Sequence, residues 1–312
     1  MMNKKHFALI VISIFMFSCS QNKDKNGKEL STTTSGEVSI VADETLMPIV
    51  DSEIQVFETI YPKANILVKY LPEAEAIAYF LNDSAQLIIL PRELNDEEKK
   101  HFTDQKLAQP RASKIATDAV ALIINKSNTD TTLEISQVRD LIRGKLTKWN
   151  QLDANSKLAD IKIVFDNSNS STVKYMADLV GQDKVNGYAL KNNKEVIQYV
   201  GKNTTALGVI GLNWISDLDD SSTQYFKQNI NVIGIKEDAM DEGNDYYYQP
   251  YQAYLATKQY ALIRSVYTIS REPRAGLATG FASFVSGDKG QKIILKAGLL
   301  PANAPVRIIS TE

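Results

Sequence analysis

The sequence predicts an α/β protein built on parallel strands, and three observations carry that prediction. Three apolar runs between Val38 and Leu90 are each followed by residues with helical spacing. A second series of the same kind begins at Ala119 to Ile124. Within it, "IKIVFDNSNSSTVKYM" (Ile161 to Met176) sets seven consecutive short polar residues, Asp166 through Thr172, between an apolar run and an amphipathic stretch.

Val38 to Ala42 reads as a short strand, followed by Thr45 and a helix with Pro48 in its first turn, where proline is tolerated. Ile66 to Tyr70 is the second strand, and Ala74, Ile77, Ala78 and Leu81 mark a short helix by their spacing. Leu87 to Leu90 is the third strand. In "PRELNDEEKKHF" that follows, Asn95 caps a helix whose first turn holds Asp96, Glu97 and Glu98, and Glu98 completes a capping box. Three strand-helix pairs in succession imply a parallel sheet with right-handed crossovers.

Ala119 to Ile124 is apolar enough to be buried on both faces. Ser136 to Leu146 is a helix with Val138, Leu141 and Ile142 on one side. Ile161, Ile163, Val164 and Phe165 then read as a buried strand, and Val173, Met176, Ala177 and Val180 recur with the period of a helix face. Asp166 to Thr172 therefore form a strand-to-helix turn, where the first helical amides have no intrahelical partner. Their short side chains either cap those amides or leave them free to hold an anion. Two glycines in "TALGVIGLNW" (Thr205 to Trp214) suggest a strand passing close to other backbone. Ile230 to Ile235 is one more strand, and Gly280 to Ala297 is a closing helix, ended by Gly298 and followed by Pro301. Ligands of open parallel sheets sit beyond the carboxyl ends of the strands.

Lys4 and Lys5 precede an apolar run from Phe7 to Phe17 that ends at Ser18-Cys19, the pattern of a secretory signal over residues 1–18. Cys19 is the only cysteine and stands where a bacterial lipoprotein carries its lipidated cysteine, although Met16 replaces the usual leucine. The following residues to Gly36 are rich in Ser, Thr, Asn, Lys and Gly and read as a flexible tether. The expectation is an exported globule anchored to a membrane by lipid. Without Cys19 no disulfide or cysteine chemistry is available. A net charge of −2 and the absence of a Lys/Arg block argue against nucleic acid as a partner. The mature chain keeps one histidine, His101, and shows no Gly-x-Ser-x-Gly turn, phosphate-cradling Gly-rich loop or His/Asp metal spacing. No enzyme, cofactor or metal is expected.

"TDAVALIINKSNTDTTLEISQVRDLIRGKLTKWNQL" (Thr117 to Leu152) resembles the phosphate-type substrate-binding proteins of bacterial ABC importers. Leu133, Val138, Leu141, Gly144, Lys145, Leu146 and Trp149 follow that family's spacing. "ALGVIG" resembles its "GAIGY" strand, and "GFASFVSGDKGQKIILKAGLLPA" resembles its closing helix. The resemblance implies the type II periplasmic-binding fold: two α/β lobes joined by a two-strand hinge, with the ligand cleft between them. Lobe one would be 37–116 plus 252–312, and lobe two 117–251. It also implies capture of phosphate or a related oxyanion, delivery to ABC permease subunits, and a monomer. Ser170, Ser171 and Thr172 match the family's "S-G-T" turn, and Thr45 its ligand-contacting Thr or Ser.

The departures concern charge. Ser171 replaces the glycine, Asp166 stands in place of an arginine, and Glu73 and Glu75 replace Ser and Gly. Pro91 falls where an aspartate accepts the ligand's proton, with Arg92 after it. One reading moves the cationic contact to Arg92 and gives the proton-accepting role to Asp166 or a cleft glutamate. An alternative is a different ligand, because Asp43, Glu44, Glu73, Glu75 and Asp166 would make the cleft acidic. Another makes Arg92 a surface ion pair with Glu93 or Asp96, Ser170 to Thr172 simple caps, and Asp118 a tie near the hinge. The alternative function is a tethered sensor or accessory lipoprotein that binds a different small ligand.

Overall fold

The computed structural model describes residues 31–303, except 218, 220, 238–244 and the side chain of 222. The signal segment and Cys19 lie outside the described residues.

β1 (Gly36–Asp43) runs between and parallel to β2 (Ala64–Leu71) and β3 (Leu87–Leu90). The helices α1 (Met47–Ile60), α2 (Glu73–Leu81) and α3 (Asp96–Asp104) follow these strands in turn. Pro48 lies in the first turn of α1, and the Asn95–Glu98 capping box of α3 is formed. β4 (Arg111–Asn125) is a 15-residue strand that serves both lobes. Its residues Arg111 to Ala119 pair antiparallel with β11, while Val120 to Ile124 pair with β8.

The second lobe continues with β5 (Thr132–Glu134), α4 (Ile135–Ile142), β6 (Lys162–Phe165), α5 (Ser171–Val180), β7 (Tyr188–Ala189), α6 (Asn193–Lys202) and β8 (Ala206–Gly211). It closes with α7 (Ser221–Asn229), β9 (Ile230–Val232) and β10 (Gly234–Lys236). The chain then returns through α8 (Gln252–Ala256) to β11 (Ile263–Ser270), α9 (Leu277–Ser286), α10 (Asp288–Lys296) and β12 (Leu300–Pro301). The order β2-β1-β3-β11-β4-β8-β6-β7 curls through both lobes, with β9 and β12 also paired to β4. Strand residues such as Ile40, Leu87, Leu122 and Ile163 are buried in one continuous apolar core, and Val41, Phe80, Ile88 and Phe102 form a smaller one.

Several expectations need correction. The sheet is mixed, because β11 and β4 run antiparallel to their neighbours. β4 begins at Arg111 rather than Ala119; Arg111 to Lys114 are exposed and mostly polar, so pairing with β11, not an apolar run, makes them a strand. The expected strand from Ile230 to Ile235 is two strands, β9 on β4 and β10 on β5. The expected closing helix breaks at Gly287, and a Cβ on Gly290 would lie 2.5 Å from Val285 Cα, so the two pieces pack at a corner. The helix expected to reach Leu146 stops at Ile142, with Gly144 at φ +75°. The end of the expected tether is packed: Thr32 pairs with Ser35, and Gly280 accepts Thr33 so closely that a Cβ would sit 1.8 Å from its carbonyl oxygen.

Candidate functional site

β1 ends in Asp43, which is fully buried at the N-cap of a single 3-10 turn, Glu44–Leu46. Its Oδ1 accepts the Thr45 amide at 2.8 Å and the Thr45 hydroxyl. β6 ends at Phe165, and the next residue, Asp166, is also buried and opens the seven-residue polar turn that leads into α5. Ser170 is the N-cap of α5 and accepts from the Val173 amide at 3.4 Å. Ser171 and Thr172 occupy the first turn of α5, and all three are buried. The turn is therefore both cap and part of the interface between lobes.

The two turns meet. Ser171 Oγ donates to Asp43 Oδ1 at 3.1 Å and lies 3.1 Å from Thr45 Oγ1. Asn213 Nδ2, just past β8, donates to the Thr45 carbonyl at 2.6 Å. Thr172 Oγ1 donates to Asp166 Oδ1 at 2.5 Å and sits 2.9 Å from Ser170 Oγ. At the start of α6, the buried Asn193 donates to Glu44 Oε2 at 2.6 Å and to Asp166 Oδ2 at 3.2 Å.

The cation in this cluster is Arg264 of β11, a residue the sequence analysis did not single out. β11 register sets Arg264 directly opposite Asp118 of β4. Arg264 Nε donates to Asp118 Oδ2 at 2.9 Å, and Nη2 lies 2.8 Å from the same oxygen. The other two guanidinium nitrogens reach the hydroxyls: Nη1 donates to Ser171 at 2.9 Å and Nη2 to Thr45 at 3.0 Å. Burial alone would lower the arginine's pKa, but Asp118, Asp43 and Asp166 outweigh it and keep the guanidinium charged. Gly211 closes one wall; a Cβ there would stand 2.9 Å from Arg264 Nη2 and 3.0 Å from the Thr45 carbonyl. That is the physical content of the second glycine of "ALGVIG".

Arg92 lies elsewhere. Its guanidinium is held by Glu73 at 2.7 Å and by both oxygens of Glu98 at 2.8 and 2.9 Å, not by Glu93 or Asp96 carboxylates. There it lines, with Asn169 and Ser170, a groove along the edge of the lobe interface. Arg92, expected either to contact the ligand or to pair with Glu93 or Asp96, is held apart from the hydroxyl cluster beside Glu98, which is committed to the cap of α3. Asp118 is the expected tie near the crossover, and its partner is Arg264.

The carboxyls are perturbed by this burial. Desolvation raises Asp43 to about 7, against the pull of Arg264 and the Thr45 hydroxyl. It raises Glu44 to about 7 as well; Asp166 and Asp43 add to the rise, against the Asn193 hydrogen bond. Asp166 is pushed up by burial despite its bonds from Thr172 and Ser170. The arrangement offers hydroxyl and guanidinium donors converging from both lobes, with titratable acceptors between them. No metal-binding group of His, Cys, Asp and Glu occurs among the described residues.

A family model described as a PBP superfamily domain matches residues 27–289. The chain belongs to the PBP superfamily. Within it, the chain is 27% identical over 290 residues to the phosphate-binding protein PstS of Staphylococcus epidermidis, covering 89% of this chain and 82% of that protein. It is 24% identical over 284 residues to the PstS of Staphylococcus aureus, with the same coverage. Among solved structures, a Clostridium perfringens substrate-binding protein with bound phosphate superposes with a TM-score of 0.67 at 22% identity, covering 86% of this chain and all of that one. A phosphate transport receptor of Vibrio cholerae gives 0.62 at 19%, covering 85% of this chain and all of that one. These superpositions place the two lobes in the type II periplasmic-binding fold expected of the resemblance.

Proposed function

We propose that this PBP-superfamily chain captures inorganic phosphate or a similar tetrahedral oxyanion outside the cytoplasm and hands it to the permease of an ABC importer. The observation that carries the reading is the convergence of Thr45, Ser171 and the charged Arg264 at the lobe interface, beside the N-terminus of α5. Neutral hydroxyls and one delocalised cation suit an oxyanion, because charge-assisted hydrogen bonds strengthen as closure expels water. The relatives named for phosphate binding support the same ligand.

Thr45 and Arg264 hold the ligand from one side, and Ser170, Ser171 and Thr172 from the other. Asp166 accepts the proton that phosphate keeps and sulfate lacks. Arg92 braces the rim instead of touching the ligand. In this reading lobe one is 37–116 with 252–312, lobe two is 117–251, and the protein works as a monomer with no catalytic role. Lipidation of Cys19 supplies the membrane attachment; no helix among the described residues is long and apolar enough to cross a membrane.

Calorimetric titration with phosphate and sulfate in phosphate-free buffer tests this. Saturable phosphate binding, weakened at least tenfold in Thr172→Ala and Ser171→Ala, is expected. Absence of heat with either anion would reject the ligand and favour the tethered sensor of the same fold.

A further inference from the structure

The acids at the lobe interface exceed what an anion site requires. Asn193 Nδ2 donates to Glu44 Oε2 and to Asp166 Oδ2 at once, so these two oxygens are no further apart than the sum of 2.6 and 3.2 Å. Glu44 comes from the turn after β1, while Asp166 and Asn193 come from the turn after β6 and the start of α6. Asp43 adjoins them: its Oδ1 collects three donors, and its Oδ2 is buried with no partner among the described residues. The charged groups facing Asp43 are Arg264 from β11, Glu73 from α2, Asp166 and Glu44. Those facing Glu44 are Asp166 and Asp43. Arg264 already serves Asp118, and Arg92 serves Glu73 and Glu98. If every carboxyl stayed ionised, closing the lobes would gather negative charge without matching cations, and an oxyanion would add more.

We propose that lobe closure takes up protons: Glu44 and Asp43 enter the closed interface as neutral carboxyls, and the cleft holds its oxyanion together with these co-bound protons. The last clause rests on the oxyanion reading above; the closure itself does not. A neutral Asp43 can turn its buried, unpartnered Oδ2 into a hydroxyl donor, which suits an anion where a carboxylate would repel it. In an open, hydrated cleft both carboxyls titrate near 4. Closed, both sit near 7, so protons are bound on closing. Closure is therefore favoured on the acid side and progressively lost as pH rises to about 7, beyond which the penalty is complete.

The test uses the full chain with Cys19→Ser and spin labels at Lys100→Cys on α3 and Lys184→Cys in the second lobe, both exposed positions. Inter-label distances are measured by pulsed electron resonance without ligand at pH 5 and pH 8. The expected result is a closed population that shrinks about tenfold or more toward pH 8, and a smaller change in Glu44→Gln. Identical distance distributions at the two pH values, or an unaltered pH response in Glu44→Gln, would overturn the proposal. Phosphate titration at pH 7 in two buffers of different ionisation enthalpy should register net proton uptake beyond that of phosphate itself; none would equally overturn it. If phosphate gives no heat at any pH, the oxyanion reading falls, while the distances still decide closure.

Discussion

Arg264 is a full charge with almost no contact with water, and its environment shows why a lysine could not replace it. Three of its nitrogens reach three different residues in one plane, Asp118, Ser171 and Thr45, a fork that a single ammonium cannot reproduce. Arg264→Ala would leave Asp118 buried without its counter-charge, and the expected loss is about 3–5 kcal/mol by urea denaturation. Adding Asp118→Asn should restore much of that loss, because the two residues share one interaction; equal destabilisation in the double variant would show that the pair is not the cause. Gly211→Ala puts a methyl group between Arg264 and the Thr45 carbonyl, and phosphate affinity by titration should fall about tenfold or more. Thr45, Asp166, Ser170, Ser171 and Thr172 were legible because each stands on a turn after a recognisable strand. Arg264 was not, although it occupies the buried phase of an alternating strand with Val266 and Thr268. A charge in that phase is the signal, and it is readable only once the strand itself is recognised.

The elements that were legible carry their own local instructions. The Asn95–Glu98 box starts α3, and apolar spacing marks α2 and α5, so their boundaries came within a residue or two. β11 and the first half of β4 have mixed, partly exposed sequences, and pairing with each other across roughly 150 residues, together with β3 and β12 on their other sides, makes them strands. The corner between α9 and α10 hid inside a helical pattern because Gly287 alone interrupts the backbone, while Gly290, inside α10, lets the helix pack closely on Val285. Helix α1 holds a different surprise. Glu53 lies among Ile49, Ile89, Val266 and Phe281, and neither carboxyl oxygen has a partner among the described residues. Burial pushes this carboxyl up to about 9. The folded chain keeps the proton that the unfolded chain releases near 4.5, so stability should decline as pH rises from about 4.5 toward 9. Urea denaturation at pH 5 and pH 8 should show that decline, and Glu53→Gln should flatten it. Glu53→Leu should be more stable than the parent at pH 8 by about 1–3 kcal/mol, the penalty of an unsatisfied buried polar group.

At the scale of the whole molecule, the contacts that matter are those that cross between lobes. Trp214 sits beside Asn213, whose amide bonds the Thr45 carbonyl, whereas Trp149 is enclosed in the second lobe with its indole N–H on the Thr205 carbonyl. Phosphate-induced changes in tryptophan emission should therefore persist in Trp149→Phe and vanish in Trp214→Phe. The reverse result would mean that closure is felt in the lobe interior and not at its face. The two-lobed plan was legible from the resemblance and from the two series of strand-helix pairs, but the shared strand that unites them was not. That strand order also governs assembly. β3 finds its outer neighbour only in β11, whose Tyr267 pairs with Leu90 from roughly 180 residues further along the chain. Until that segment emerges, β1, β2 and β3 form a sheet with an open edge, and the first lobe stays incomplete while nearly the whole polypeptide is made. Closing such a distant contact is slow. In the exported reading proposed above, a strand that arrives this late postpones completion of the first lobe until nearly the whole chain is available.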